Sequence, residues 1–234
     1  MWQHLALAEH RCAILEPRVW RGVENQYASA TLQLVDSHAE HDLLETLLEA
    51  SKPAQPSVST ARHFLLTTPF RYTPATDSRF RRQGQRGLWY GALNIETVCA
   101  ELAWWRMRFM LDSAGLLRDT IQTTYTFYNA PMDTRLGLDL MQEPWTAWRS
   151  EWRAGSYQAT QALADAATRQ GIEVIRYESA RMEKGVCFAV FTPEVLHEPQ
   201  GSLDASRVEW ICTAKRDAVL FNESLGNGRY AFEG

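Results

Sequence analysis

The sequence predicts an α+β fold, and three observations carry that prediction. Strand-like and helix-like runs are interspersed without the regular strand–helix beat of a doubly wound sheet. β-branched and aromatic residues gather in short stretches, as in Thr120–Tyr128, where Ile121, Thr123, Tyr125 and Phe127 share one face. Helix start and stop signals bracket the intervening segments. The chain has 234 residues, 45% hydrophobic and 22% charged, an ordinary globular composition. A single core in a chain of this length buries roughly 70–75% of the unfolded surface and needs no staples.

Taken in order, Thr31–Val35 alternates apolar residues at 32 and 34 and reads as a strand. Ser37 and Glu40 have capping-box spacing, and Leu43, Leu44, Leu47 and Leu48 then form one apolar helix face. Ser51–Thr60, with two prolines and three serines, reads as a linker. It divides the chain into an N-terminal extension packed on the core (1–60) and a main domain (61–234). Gly87–Ala92 reads as a buried strand, and Asn94 as the cap of a long helix to about Asp112, stopped by Gly115. After the strand 120–128 come Trp145, Trp148 and Trp152, then a helix over about 157–169 closed by Gly171. Strands are expected at 173–177, 186–192 and 207–213.

Composition excludes several functions. The net charge is −4, so the chain is not expected to coat nucleic acid. All but three of its 24 basic residues are arginines, the exceptions being Lys52, Lys184 and Lys215. Arginine suits planar, bidentate recognition of phosphate or carboxylate, although GC-rich coding gives the same bias. Cys12, Cys99, Cys187 and Cys212 are scattered, with no C-x-x-C, which argues against a zinc knuckle, a thioredoxin motif or a disulfide framework. No apolar run approaches the ~18–20 residues that span a bilayer. His4, Glu9 and His10 break up Met1–Arg11, which therefore does not read as a signal peptide. The expectation is a soluble cytoplasmic protein. Dinucleotide-fold, P-loop, zinc-hydrolase and nucleophile-elbow motifs are all missing.

Four groups of residues invite a chemical reading. His38-x-x-His41-Asp42 resembles a metal cluster, but i,i+4 pairing of His38 with Asp42 and His41 with Glu45 explains it without metal. Arg71, Arg79, Arg81, Arg82 and Arg86 are interleaved with Phe70, Tyr72, Phe80, Trp89 and Tyr90. This segment reads as a solvated basic loop, as a stacking groove for single-stranded nucleic acid, or as a dinucleotide site. In the last, arginines fork onto a pyrophosphate and rings stack on a base. Glu101 lies mid-helix with Thr97, Val98, Trp104 and Trp105 as helical neighbours, none of them basic. It needs a partner from elsewhere, either an arginine of 71–86 or a pocket group. Ser179, in Tyr177-Glu-Ser-Ala-Arg181, has no nearby histidine and does not read as a nucleophile.

Together these pieces resemble the RES domain family. Phe70-Arg71-Tyr72 is similar to its opening Arg-Tyr pair and Ser78-Arg79-Phe80-Arg81 to its second arginine motif. Gly87-Leu-Trp-Tyr90-Gly-Ala resembles its tyrosine strand, Glu96-Thr97 to Glu101 its glutamate helix, and Tyr177 to Arg181 its serine segment. The likeness covers roughly residues 60–195. Ser78 and Phe80-Arg81 stand where the family commonly has Gly and Trp-Asn. The resemblance implies an ADP-ribosyltransferase-like mixed sheet with flanking helices. It also implies a bacterial toxin that cleaves the nicotinamide–ribose bond of NAD⁺ by phosphorolysis or hydrolysis. NAD⁺ is then a substrate, with inorganic phosphate as a possible co-substrate and no metal. The implied partner is an Xre-like antitoxin in a hetero-oligomer that neutralises growth inhibition. Site roles follow from the same resemblance. Arg71 and Arg79 bind phosphate groups, and Tyr72 and Tyr90 hold the nicotinamide end. Glu101 stabilises the ribosyl cation, while Ser179 orients the substrate or Glu101. The alternatives are an ADP-ribosyltransferase acting on a protein and a non-enzymatic binding module for RNA or protein.

Overall fold

Two long strands organise the molecule, which a computed structural model describes over residues 6–25, 34–53 and 62–234. In chain order the elements are β1 (Cys12–Glu24), α1 (His38–Ser51), the single turn α2 (Phe64–Thr67), β2 (Trp89–Ala92), α3 (Ile95–Asp112) and β3 (Ile121–Asp139). They continue with α4 (Arg149–Arg153), α5 (Gln158–Arg169), β4 (Val174–Glu178), β5 (Val186–Val190), β6 (Val208–Ala214), β7 (Ala218–Glu223) and β8 (Arg229–Glu233).

The strands form one mixed sheet in the order β1-β2-β5-β4-β3-β6-β7-β8, and β1 also pairs with β3. The first five strands of that order therefore close on themselves. β6, β7 and β8 extend from β3 as an antiparallel meander. β3 and β4 run parallel, and the crossover between them carries α4 and α5, as a parallel connection requires. The fold is α+β, as expected, with helices flanking a mixed sheet.

β1 has no counterpart in the sequence reading, and its residues give the reason. Its pairing with β3 shifts register between Glu16 and Val19, where Pro17 supplies no ladder donor. The shift breaks the period-2 alternation that would have exposed the strand in the sequence. Residues 12–24, read from sequence as part of an appended segment, are thus a strand of the sheet itself. β3 is likewise far longer than 120–128, and β7 and β8 were not anticipated.

Other expectations were met locally. Ser37 Oγ accepts from Glu40 N–H at 3.2 Å, while the Glu40 carboxylate takes the Asp36 N–H at 2.9 Å. The apolar face of α1 is not buried, however: Leu43 and Leu47 are 59% and 58% exposed. Asn94 caps α3 through the Thr97 N–H at 2.8 Å. Gly115 does not terminate that helix. α3 ends at Asp112, Ser113 is extended, and Gly115 falls in the following 3-10 turn. Gly171 does close α5. At φ +69° it occupies the left-handed C′ position, and the 172 N–H returns to the Ala167 carbonyl at 3.0 Å. Of the expected strand 31–35, residues 31–33 lie outside the described residues, and Leu34 and Val35 form no strand. Residues 54–60 of the expected linker also lie outside them.

Alternation along β2 sets up the site. Trp89 is fully buried and donates its indole N–H to Tyr128 Oη at 3.2 Å; Tyr128 in turn donates to the Leu65 carbonyl at 2.8 Å. Tyr90 faces the other way. At Gly91 a Cβ would lie 2.5 Å from the Trp89 ring and 2.8 Å from the Trp20 carbonyl, so β1 can cross β2 only over a glycine. Among the described residues, no helix is long and apolar enough to cross a membrane.

A chain beginning at residue 34 lacks β1 and leaves the edges of β2 and β3 unpaired. It is expected to lose cooperative thermal unfolding monitored by circular dichroism, whereas the full chain melts in one transition. A truncated chain that melts cooperatively near the full-length midpoint would contradict the placement of β1 in the sheet.

Candidate active site

Two adjoining cavities lie where β1 crosses β2 beside α3. The inner one, about 240 Å³, is lined by Arg79, Glu101, Trp104, Tyr177 and Arg181 among others. The outer one, about 420 Å³, is lined by Phe64, Tyr72, Asp77 and Arg81 among others. Arg21, Ser78, Tyr90 and Trp105 line both. The two spaces are therefore lobes of one cleft, with these four residues at the junction.

Tyr90 is the pivot of that junction. Its hydroxyl hydrogen-bonds Ser78 Oγ at 2.9 Å and accepts the Phe80 N–H at 3.2 Å. Burial pushes its pKa up, so the phenol stays neutral. The Ser78–Arg82 loop is further clamped by α5. Thr160 Oγ1 donates to the Arg79 carbonyl, and the Gln161 side-chain amide donates to the Ser78 and Arg81 carbonyls, each at 3.2 Å. Arg79 is 7% exposed. Its Nη1 donates to the carbonyls of Trp152 (2.7 Å) and Ala154 (3.0 Å), and its guanidinium lies 5.1 Å from the Tyr157 ring centroid.

Glu101 finds its partner in Ser179, not in an arginine of the 71–86 segment. Ser179 Oγ donates to Glu101 Oε1 at 2.5 Å. The same oxygen accepts the backbone N–H groups of Arg181 and Met182, both at 3.0 Å, which directs its one hydrogen at the carboxylate. Ser179 itself is fully buried and anchored through its N–H to the Gly185 carbonyl at 2.7 Å. Its neighbour Glu178 is gripped by Arg149, whose Nη2 lies 2.7 Å from Oε1, and by the Lys184 N–H at 3.0 Å. The Arg149 hydrogen bonds pull the Glu178 carboxyl below the usual range. Arg153 Nε adds a bond to the Ser179 carbonyl at 3.0 Å. Ser179 Oγ is thus tied to Glu101 on one side and to two backbone N–H groups on the other.

Arg181 lies 3.7 Å from the centroid of Trp104, within cation–π range, and burial lowers its pKa. Cys187 also lines the inner lobe. Burial first, and then the charge of Glu101, push its thiol well above the ordinary value, so it is no thiolate nucleophile at neutral pH. Among the described residues no group of three or more His, Cys, Asp or Glu could hold a metal ion. His41 instead faces Glu45 one turn away at 3.7 Å.

Two expected site residues fall elsewhere. Arg71 lines neither lobe. Its Nε donates to the Pro53 carbonyl, and its Nη1 lies 3.5 Å from Glu49 on α1. Tyr72 lines the outer lobe and is separated from Glu101 by the junction. The structure puts Arg21 of β1 in the cleft where Arg71 was expected. Its Nη1 donates to the Tyr90 carbonyl at 2.8 Å, and its guanidinium lies 5.6 Å from the Trp89 centroid. Its Nε is buried without a hydrogen-bond partner among the described residues. No carboxylate pairs with it there, and desolvation lowers its pKa, although an arginine keeps its charge. A charge in that state is suited to an anion.

The RES domain family profile matches residues 54–210. No curated protein matches the sequence. Among solved structures, a chain in the crystal structure of the M. tuberculosis MbcT–MbcA toxin–antitoxin complex is similar, with TM-score 0.47 and 12% identity. The match covers 81% of this chain and 84% of that one.

Ser179→Ala strands the Arg181 and Met182 N–H groups and removes the donor to Glu101. A loss of about 1–3 kcal/mol is expected, read as a lower melting midpoint. An unchanged midpoint would show that the hydroxyl does not brace this turn.

Proposed function

The chain belongs to the RES domain family, and on that premise we propose that it is a toxin-like enzyme cleaving the nicotinamide–ribose bond of NAD⁺. The observation that carries the reading is the two-lobed cleft. A guanidinium with no carboxylate partner among the described residues stands at its junction, and a serine-braced carboxylate lies in its inner lobe. NAD⁺ has the same layout, with a pyrophosphate between two ribosides. Arg21 and Arg79 bind the pyrophosphate. The nicotinamide riboside enters the inner lobe past Tyr90, and Tyr72 faces the adenosine end.

Glu101 then does two things. Its carboxylate accepts a hydrogen bond from a ribose hydroxyl, and its charge faces the anomeric carbon. As the C–N bond breaks, its electron pair moves to the positively charged nicotinamide, which leaves neutral. Positive charge develops on the ribosyl carbon, where a carboxylate fixed in advance is most effective. Phosphate or water adds to that carbon, giving ADP-ribose 1″-phosphate or ADP-ribose. Ser179 contributes by fixing the carboxylate before reaction. An enzyme that drains NAD⁺ harms its own cell, so an Xre-like antitoxin closing the cleft is part of the proposal.

The direct test is release of nicotinamide from NAD⁺ by the purified chain. Glu101→Gln preserves shape, keeps an acceptor for Ser179 and removes charge. Turnover should fall by about 10²-fold or more with the melting midpoint retained. In bacteria, wild-type expression should arrest growth and deplete NAD⁺, and the Gln variant should be tolerated. Equal toxicity from both would place the harm in binding and not in cleavage.

The two arginines are separable as well. Arg21→Lys keeps the charge but loses the planar fork, and kcat/KM should drop by about 10-fold or more. Arg71→Lys should remain within about 2-fold of wild type, because Arg71 faces α1. The reverse ranking would return the phosphate role to Arg71.

A further inference from the structure

The outer lobe carries a specificity element of its own. Asp77 lines it, at the start of the loop that ends in Arg82. The carboxylate is held in place because its Oδ1 accepts the Gln83 N–H at 2.7 Å. The side chain is otherwise open to the lobe, and the residue is exposed.

The cations of the same lobe are already committed. Arg81 is 6% exposed. Its Nη1 donates to the carbonyls of Pro74 (3.2 Å) and Arg82 (3.1 Å), and its Nη2 to that of Thr76 (2.6 Å). That guanidinium staples the loop and has little left for a ligand. Arg21 stands at the junction, where the pyrophosphate is proposed to lie. Among the described residues lining the outer lobe, no other cation is present. The lobe beyond the junction therefore presents a carboxylate and aromatic surface from Tyr72 and Phe64, with no uncommitted positive group.

Such a lobe accepts neutral hydroxyls and rejects phosphate. A fixed carboxylate can accept two hydrogen bonds from a ribose diol, whereas a phosphate monoester beside it meets like-charge repulsion and finds no counter-ion. Resting on the dinucleotide reading above, we infer that Asp77 makes the outer lobe select NAD⁺ over NADP⁺ by bonding the adenosine ribose hydroxyls and repelling a 2′-phosphate. The residue is a specificity determinant and takes no part in bond cleavage.

The experiment compares nicotinamide release from NAD⁺ and from NADP⁺ by the full chain, as wild type, Asp77→Asn and Asp77→Glu. Asparagine keeps an oxygen for the Gln83 N–H, so the loop stays closed, but it removes the charge. Wild type should favour NAD⁺ in kcat/KM by about 10-fold or more, since like charges in a site of this kind discriminate strongly. The Asn variant should lose most of that preference, mainly by gaining kcat/KM on NADP⁺ while KM for NAD⁺ rises a few-fold. The Glu variant should retain the preference. A merely structural defect would lower both substrates together and leave their ratio unchanged, which would overturn the inference. So would a wild type that cleaves both dinucleotides equally well, and that result would leave the NAD⁺-cleavage reading standing. Cleavage of neither by the folded wild type would remove that reading and this inference together.

Discussion

Burying a guanidinium without a carboxylate is costly unless the surrounding structure holds it. Arg21 is held by the Tyr90 carbonyl and by the face of Trp89, both supplied by β2 at the point where β1 crosses it. That crossing needs Gly91, and it needs Trp89 locked beneath through Tyr128 and Leu65. The cleft exists because β1 and β2 meet there, and Arg21 and Tyr90 line both of its lobes where they join. Among the described residues no carboxylate pairs with that charge, which suits it to an anion.

The second constraint couples helix to turn. Glu101 projects from α3, and Ser179 sits at the end of β4. The bond between them is made definite by two backbone N–H groups that occupy the serine oxygen's acceptor side. Glu178, Arg149 and Arg153 secure the same turn from outside. The carboxylate is therefore preorganised, and preorganisation is what electrostatic stabilisation of a developing cation requires. The buried cysteines do not compete for a chemical role. Burial raises the thiols of Cys99, Cys187 and Cys212, the last to about 11.

Much of this was legible where chemistry is local. The Asn94 cap and the isolation of Glu101 among apolar neighbours signalled themselves within a few residues, whereas the Tyr177–Arg181 segment stood out only through the family resemblance. The need for a non-local partner for Glu101 followed from burial arithmetic, although the partner proved to be a serine and not an arginine. Arg21 was invisible for a physical reason: Pro17 and the register shift erase the alternation that marks β1 as a strand. Arg71 was attractive because it belongs to an arginine–aromatic run, yet a run says nothing about which side chains turn inward. Tertiary packing sends Arg79 into the cleft, Arg81 into the loop's own carbonyls and Arg71 toward α1. The leucine face of α1 likewise satisfied a helical period, yet Leu43 and Leu47 stay exposed.

The claim that one dinucleotide spans both lobes across Arg21 is tested most directly by a crystal structure of the Glu101→Gln variant with NAD⁺ bound. The account predicts the pyrophosphate against Arg21 and Arg79, the nicotinamide ribose beside residue 101, and the adenosine in the outer lobe near Tyr72 and Asp77. A pyrophosphate bound at Arg71, or a dinucleotide lying wholly outside the cleft, would contradict it.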